Sequence, residues 1–187
     1  MNKAIPLLNA ADFLQGDELG RAQFASDLRA AFEQYGFITL ENHGLDESLI
    51  ESAYGQAEQF FALPTSVKTA TSIPGVGGNF GYTPFGQEHA KDETRADLKE
   101  FYHFAQRHYE QPTCPQQPDF VEKGHALYSA LEELAGSLLQ AVALSLELDG
   151  DYFESHVQGG NSILRVLHYP PAPDAPDDAP RAGSHED

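Results

Sequence analysis

The sequence has a single cysteine, Cys114, among its 187 residues, so no disulfide can form within the chain. Cys114 lies in Pro112-Thr-Cys-Pro115 with no second cysteine to accompany it. This setting favours a structural role over a nucleophile or a zinc ligand. The N-terminus also lacks the apolar core of a signal peptide. Both observations favour a reducing, cytoplasmic location.

Basic residues are scarce as well. Eleven Lys and Arg stand against 29 Asp and Glu, and the formal net charge is -18. Such a charge opposes binding to nucleic acid and to anionic membrane surfaces. The sequence also contains no apolar run long enough to cross a bilayer. We therefore expect a soluble domain whose partners include neither nucleic acid nor membrane.

The glycine-rich stretch Gly75 to Gly86 lacks the motifs of a phosphate-binding loop. It has neither the Gly-x-Gly-x-x-Gly spacing nor Gly-Lys-Ser/Thr, and no apolar strand leads into it. We expect a flexible loop that Phe80, Tyr82 and Phe85 pack in place.

Apolar residues at helical spacing predict three helices separated by short strands. The helices are expected over Leu19–Tyr35, over Leu49–Phe61 after a cap at Asp46, and over about Phe120–Leu148. In the first of them, Leu19, Phe24, Leu28, Ala31, Phe32 and Tyr35 are expected to form the buried face, and Gly36 to end the helix. Short strands are expected at Ile5–Leu8 and Phe37–Leu40.

Two further strands are expected later in the chain. In Leu98–Phe104, Phe101 and His103 share one face, and in Ser162–Tyr169, Arg165, Leu167 and Tyr169 share one face. Neither face of Leu98–Phe104 is uniformly apolar, so alternation does not decide which one looks inward.

The chain ends in His185-Glu-Asp187. Residues two apart in a strand project to the same side, so His185 and Asp187 suit two ligands of one metal ion. Two histidines and one carboxylate form the usual site of non-haem Fe(II) oxygenases. No third ligand is evident. On these residues alone, a solvated polar tail is the favoured interpretation.

Seven segments, in order, resemble the N-terminal part of the isopenicillin N synthase-like family of Fe(II)/2-oxoglutarate dioxygenases. They are Ile5-Pro6, Tyr35-Gly-Phe-Ile-Thr-Leu-Glu-Asn-His-Gly44, Phe60-Phe-Ala-Leu-Pro64 with Lys68, Gly81-Tyr82, Leu98-Lys-Glu100, Leu164-Arg-Val-Leu-His-Tyr-Pro-Pro171 and His185-Glu-Asp187. These segments follow the family's order from residue 5 to residue 187. This agreement favours His185 and Asp187 as metal ligands over the interpretation of the chain end as a solvated polar tail.

The resemblance implies an α+β fold: a double-stranded β-helix, or jelly roll, with flanking helices. Most jelly-roll strands of the family lie beyond residue 187, so we expect an incomplete jelly roll in one domain, 1–187. Within it, 1–118 would be the N-terminal helix and strand region, 119–160 a long supporting helix, and 161–187 the first jelly-roll strands with His-x-Asp.

The resemblance also implies cofactors and residue roles. His185 and Asp187 would bind Fe(II), and Tyr169 would hydrogen-bond the cosubstrate 2-oxoglutarate. Arg165, Leu167, Phe101 and His103 would line the pocket of a small-molecule substrate, and Arg165 and His103 point to an anionic one. Leu167 departs from the plant members, which have Asn there. The implied reaction uses O2 and a ferryl intermediate for hydroxylation, desaturation or ring closure.

Two interpretations remain open. The first is the front portion of such an oxidoreductase, with the 187 residues inactive by themselves because the family's second iron-binding histidine and its 2-oxoglutarate-binding arginine lie further downstream. The second is a non-catalytic truncated module that functions only with a complementary segment.

Overall fold

The computed structural model describes residues 4–74, 80–88, 97–105, 112–173 and 181–182. Within these residues the chain forms helices and short strands. In chain order they are β1 (Leu7–Asn9), α1 (Ala11–Leu14), α2 (Glu18–Tyr35), β2 (Thr39–Glu41), α3 (Glu47–Phe61), α4 (Thr65–Thr69), β3 (Gly81–Thr83), β4 (Glu100–Ala105), α5 (Pro118–Ser145), α6 (Glu154–Val157) and β5 (Ile163–His168).

The chain divides into two compact units, the first formed by Met1–Glu47 and Ser129–Gly160. Strands β1 and β2 pair in parallel there, with Leu7 opposite Thr39. Both predicted strands are confirmed, and each begins two residues later than expected. The buried core of this unit consists of Phe13, Phe24, Leu28 and Ala141, with Leu8, Ile38, Leu40, Leu138 and Val142 packed against them.

Helix α2 has the end that its sequence predicts. Gly36 has φ 73°, the left-handed conformation that glycine adopts without strain, and it follows the last helical residue, Tyr35. At the start of the helix, the backbone N–H of Gly20 donates to Oδ1 of Asp17 at 2.9 Å. This bond satisfies a helical donor that would otherwise be unpaired.

The buried face of α2 is narrower than expected. Phe24, Leu28 and Ala31 are buried, but Leu19 and Phe32 are 79% and 42% exposed, so the expectation that these two are buried is wrong. Leu19 precedes Phe24 by five residues, which rotates it about 140° away from the buried face. Phe32 lies in the last turn of the helix.

The second unit, Ser48–Tyr128 and Asn161–Asp187, contains an antiparallel sheet in the order β3-β4-β5. The flexible loop expected over Gly75 to Gly86 is wrong at Gly81–Thr83, which forms strand β3. Residues 75–79 of this stretch lie outside the described residues. Gly81 has φ 72°, and a Cβ there would overlap the carbonyl of Thr71. The long-range pairing with β4 therefore needs glycine at this position.

Strand β4 is buried along its whole length, on both faces. On one face lies an aromatic core in which the rings of Phe60 and Phe120 stack at 4.2 Å between centroids. The buried members of this core are Ala57, Phe60, Phe61, Tyr82, Tyr102, Phe104, Cys114, Phe120 and Tyr128. Burial on both sides explains why the alternation within β4 did not show which face looks inward.

Helix α5 ends at Ser145, three residues before the expected end. Leu146 is 46% exposed, and Glu147 has φ 59°, so the chain has already left the helix. Gly124 allows the close approach of α5 to Phe104, because a Cβ at this position would overlap the phenyl ring. In the described part of the chain, no helix has the length and apolar character that crossing a membrane requires.

Candidate functional site

The residues expected to line the pocket lie together on one face of the three-stranded sheet. Leu167 pairs with Phe101 and Arg165 pairs with His103 across β4 and β5. The guanidinium of Arg165 lies 4.6 Å from the centroid of the Phe101 ring. Phe101 and His103 are almost fully buried, whereas Leu167 is 42% exposed. This face of the sheet thus has a buried aromatic part beside Arg165 and a partly exposed apolar residue, Leu167.

A hydrogen bond determines the protonation of His103. Nε of Arg165 lies 2.7 Å from Nε2 of His103. An arginine Nε–H can only donate, so Nε2 of His103 must accept. The imidazole is therefore neutral and has its proton on Nδ1.

Arg165 belongs to a cluster of balanced charges. Its guanidinium donates to both carboxylate oxygens of Glu88 at 2.9 and 3.2 Å. Nζ of Lys99 contacts Glu88 at 2.6 Å and Asp97 at 2.8 Å. Burial alone would raise the pKa of Glu88, but Lys99 and Arg165 lower it below its ordinary value. Among the described residues, the two cations and two carboxylates of this cluster balance one another.

The opposite face of β4 contains a second polar cluster, centred on the buried carboxylate of Glu100. Nζ of Lys68 donates to its two oxygens at 2.9 and 2.8 Å. The hydroxyl of Tyr82 also donates to Glu100, and Nδ1 of His168 lies 2.8 Å from Oε1 of Glu100. Nζ of Lys68 further donates to the carbonyl of Phe61 at 2.9 Å. We call these four side chains, Lys68, Tyr82, Glu100 and His168, the Glu100 cluster.

The surroundings of Glu100 keep it ionised. Burial raises the pKa of this carboxyl, but hydrogen bonds from Lys68, Tyr82 and His168 outweigh burial and lower its pKa below 4.5. Burial also raises the pKa of Tyr82, and the bond to the Glu100 carboxylate raises it further. Tyr82 therefore remains a protonated donor at neutral pH.

Tyr169 follows the last residue of β5, and its backbone is tied to Arg181. The guanidinium of Arg181 donates to the carbonyls of Tyr169 at 2.7 Å and Pro170 at 3.2 Å. The same group lies 5.6 Å from the centroid of the Tyr169 ring. Arg181, four residues before His185, therefore lies beside the end of β5.

The two expected iron ligands, His185 and Asp187, lie outside the described residues. Within the part of the chain that the structure covers, no group of three or more His, Cys, Asp or Glu side chains could hold a metal ion. An imidazole and a carboxylate nevertheless form two thirds of the donor set that suits Fe(II).

The sequence does not reveal the Glu100 cluster, although Lys68, Tyr82 and Glu100 all lie in segments that carry the family resemblance. Glu100 directly precedes the aromatic run Phe101-Tyr-His-Phe104, where a charge is rarely tolerated without a partner. Lys68 gives no such signal, because its neighbours are mainly Thr and Ser. The separation of 32 residues between Lys68 and Glu100 hides the pairing until the fold brings α4 beside β4.

The seven sequence segments resemble one protein family, and comparison with known proteins decides the assignment. The family model described as "non-haem dioxygenase in morphine synthesis N-terminal" matches residues 5–123. The chain belongs to the isopenicillin N synthase-like family of Fe(II)/2-oxoglutarate-dependent dioxygenases.

Curated relatives of this dioxygenase agree with the assignment. The 2-oxoglutarate-dependent dioxygenase frbA of Dothideomycetidae sp. is 31% identical over 91% of this chain and 56% of its own length. The 2-oxoglutarate-Fe(II) type oxidoreductase hxnY of Emericella nidulans is 28% identical over 91% of this chain and 54% of its own. The chain thus spans little more than half the length of the curated relatives it matches.

Solved structures support the same fold. A protein of Caulobacter crescentus described as a member of the 2OG-Fe(II) oxygenase family superposes with a TM-score of 0.81 at 37% identity, over 98% of this chain and 61% of its own. A full-length Neurospora crassa protein in complex with alpha-KG superposes with a TM-score of 0.82 at 28% identity, with the same coverage. The dioxygenase family has a jelly-roll fold and uses Fe(II), 2-oxoglutarate and O2, as the resemblance implied.

Proposed function

We propose that this protein is part of an Fe(II)- and 2-oxoglutarate-dependent oxidoreductase that hydroxylates, desaturates or closes a ring in a small molecule. One observation supports the proposal most directly: Phe101, His103, Arg165 and Leu167 share one sheet face, and strand β5 of that face leads to Tyr169. In this arrangement a substrate pocket and a cosubstrate-binding phenol would adjoin one another.

In this proposal His185 and Asp187 hold the iron, through an imidazole nitrogen and a carboxylate oxygen. The hydroxyl of Tyr169 donates to the distal carboxylate of 2-oxoglutarate, and Arg181 restrains the backbone of Tyr169. When bound, the iron supplies O2 activation, which couples decarboxylation of 2-oxoglutarate to oxidation of a C–H bond. The protein's own residues supply orientation and a pocket that excludes water.

The pocket residues bear on the substrate. Arg165 lies over the buried ring of Phe101 and carries the cationic group that an anionic substrate would need. Glu88 already pairs with both terminal nitrogens of this guanidinium, so an anionic substrate would compete with its carboxylate. The Neurospora crassa protein has been crystallised with alpha-KG and thymine, so a neutral, planar ring is the competing substrate class.

A finer proposal concerns the 187 residues by themselves. The chain covers 54–56% of the length of two curated relatives, and strand β5 leaves Ile163 and Leu167 about 40% exposed on the pocket face. We infer that further strands complete the jelly roll and cover this face. The 187 residues alone should then bind iron weakly and release no succinate.

The decisive experiment measures Fe(II)-dependent release of succinate from 2-oxoglutarate by the full-length protein. His185→Ala should abolish turnover, because it removes one iron ligand. His156→Ala, which changes an exposed histidine in α6, is the matched control and should leave turnover intact. Full turnover by His185→Ala would refute the ligand assignment.

A second experiment tests the substrate class. Small carboxylic acids and thymine are added separately, and the stimulation of succinate release is compared. Stimulation of succinate release by acids supports an anionic substrate. This stimulation should be larger in Glu88→Gln, because Arg165 can then pair with the carboxylate of the substrate. Stimulation by thymine alone supports the neutral class and rejects the anionic one.

A further inference from the structure

Tyr169 lies one residue beyond the last backbone pair of the sheet, which joins Glu100 to His168. Among the described residues, no ladder hydrogen bond holds the strand past this pair. The placement of the phenol therefore depends on the side-chain contacts at the end of β5, one of which is the hydrogen bond from Arg181 to the Tyr169 carbonyl. This dependence matters only if Tyr169 binds 2-oxoglutarate, so the inference rests on the proposed function.

On the core face of the sheet, His168 holds the end of β5 in place. Side chains alternate along a strand, so His168 points away from the face that Arg165 and Leu167 share. Its Nδ1 lies 2.8 Å from Oε1 of Glu100, the residue directly opposite. Its ring also stacks on Phe61 at 4.9 Å between centroids, with 24° between the planes.

The carboxylate that His168 contacts is itself rigidly held. Donors from α4 and β3 bind it through Lys68 and Tyr82, and the side chains of Lys68 and Glu100 are only 7% and 6% exposed. Lys68 also donates to the carbonyl of Phe61, the residue on whose ring His168 stacks. Both contacts of His168 are therefore made to groups that the same lysine positions.

We propose that the hydrogen bond from His168 to Glu100 positions Tyr169, which makes His168 a positioning residue for 2-oxoglutarate binding. Hydrogen bonds weaken steeply as their angle departs from linear. A loosened strand end would thus weaken the bond between phenol and cosubstrate. Once 2-oxoglutarate is saturating, the rate should recover, because an interaction of this kind acts on binding and not on the chemical step.

The test compares two substitutions of His168 in the full-length enzyme, with KM for 2-oxoglutarate and kcat measured by succinate release. His168→Phe keeps a ring to stack on Phe61 but removes the donor. It should raise KM about five- to tenfold, equivalent to about 1 kcal/mol of binding, with kcat within about twofold of wild type. His168→Asn keeps a donor near the position of Nδ1 and should keep KM close to the wild-type value.

Tyr128→Phe is the matched structural control, since the Tyr128 hydroxyl bonds the carbonyl of Ser162 just before β5 begins. It should lower the melting temperature slightly and leave KM unchanged. Equal increases in KM for His168→Phe and His168→Asn would overturn the proposal, as would a loss of kcat without a change in KM.

Tyr169→Phe separates the failure of this inference from the failure of the proposed function. If Tyr169→Phe raises KM and His168→Phe does not, the positioning role is refuted and the cosubstrate assignment stands. If Tyr169→Phe itself leaves KM unchanged, the cosubstrate assignment is refuted. If His168→Phe does not fold, His168→Leu removes the donor with a smaller apolar side chain, and KM should rise by a similar factor; an unchanged KM there overturns the proposal.

Discussion

Replacing Lys68 with Met should strongly destabilise the protein, because it leaves the carboxylate of Glu100 buried without its cation. The Nζ of Lys68 makes three contacts, two to Glu100 and one to the carbonyl of Phe61, at 2.8–2.9 Å. Removing one partner of a buried ion pair typically costs about 3–5 kcal/mol. The Glu100 carboxyl could avoid an unpaired buried charge by taking up a proton. At pH 7 this alone costs about 3 kcal/mol for a group with an ordinary pKa of 4.5.

Both routes therefore lead to a loss of about 3–5 kcal/mol, a large part of the total stability of a typical domain. Urea unfolding followed by far-UV circular dichroism measures this loss. Lys123→Met makes the same substitution at a surface pair in α5, where Lys123 and Glu122 are 38% and 71% exposed. That control should lose less than about 1 kcal/mol.

A double variant isolates the buried charge as the cause. Lys68→Met with Glu100→Gln removes both charges, and it should be about 2 kcal/mol more stable than Lys68→Met alone. This comparison also works if Lys68→Met is too unstable to purify, because the double variant should then be recovered as folded protein. A Lys68→Met protein as stable as Lys123→Met would refute the reasoning.

Three further outcomes are expected. Folding lowers the pKa of Glu100, so the ionised carboxylate adds to the free energy of unfolding above about pH 4.5. This contribution is lost as the pH falls through the folded-state pKa. The difference in the free energy of unfolding between wild type and Glu100→Gln should therefore shrink on acid titration. A constant difference would contradict this. Gly124→Ala should lower the free energy of unfolding by about 1–3 kcal/mol, because the added Cβ would overlap Phe104. Gly136→Ala is the control: outside its own stretch of helix, an added Cβ there meets no described atom within 4 Å. It should raise the free energy of unfolding by up to about 1 kcal/mol through helix propensity. Tyr102→Phe should be neutral or stabilising in thermal unfolding, because its buried hydroxyl has no hydrogen-bond partner among the described residues, and a loss above about 1 kcal/mol would reveal a partner.

Local signals in the sequence predicted the helices well. Gly36 marks the end of α2 through a left-handed turn, which depends only on neighbouring residues. The alternation in Ser162–Tyr169 also predicted which residues of β5 share a face, since Leu164 and Val166 pack against the core while Arg165 and Leu167 do not. Periodicity succeeds at β5 because one face of the strand is more exposed than the other.

Strand β3 and the inward face of β4 could not be predicted in this way. β3 forms because Gly81–Thr83 pairs with residues about 20 positions away, and a glycine-rich stretch has little strand propensity of its own. β4 is buried on both sides, so its alternating pattern contains no contrast between core and solvent. In both cases the deciding energy comes from non-local contacts.

The sequence by itself determined the family to which this chain belongs. Its seven segments in register identified the dioxygenase family, and they predict His185 and Asp187 as iron ligands and Tyr169 as a cosubstrate residue. Only the tertiary structure decided which polar groups are partners. It pairs Arg165 with His103 and Glu88, and it buries Lys68 against Glu100. Such pairs join residues 32 to 77 positions apart, and their energy comes from burial and geometry, which no local sequence pattern contains.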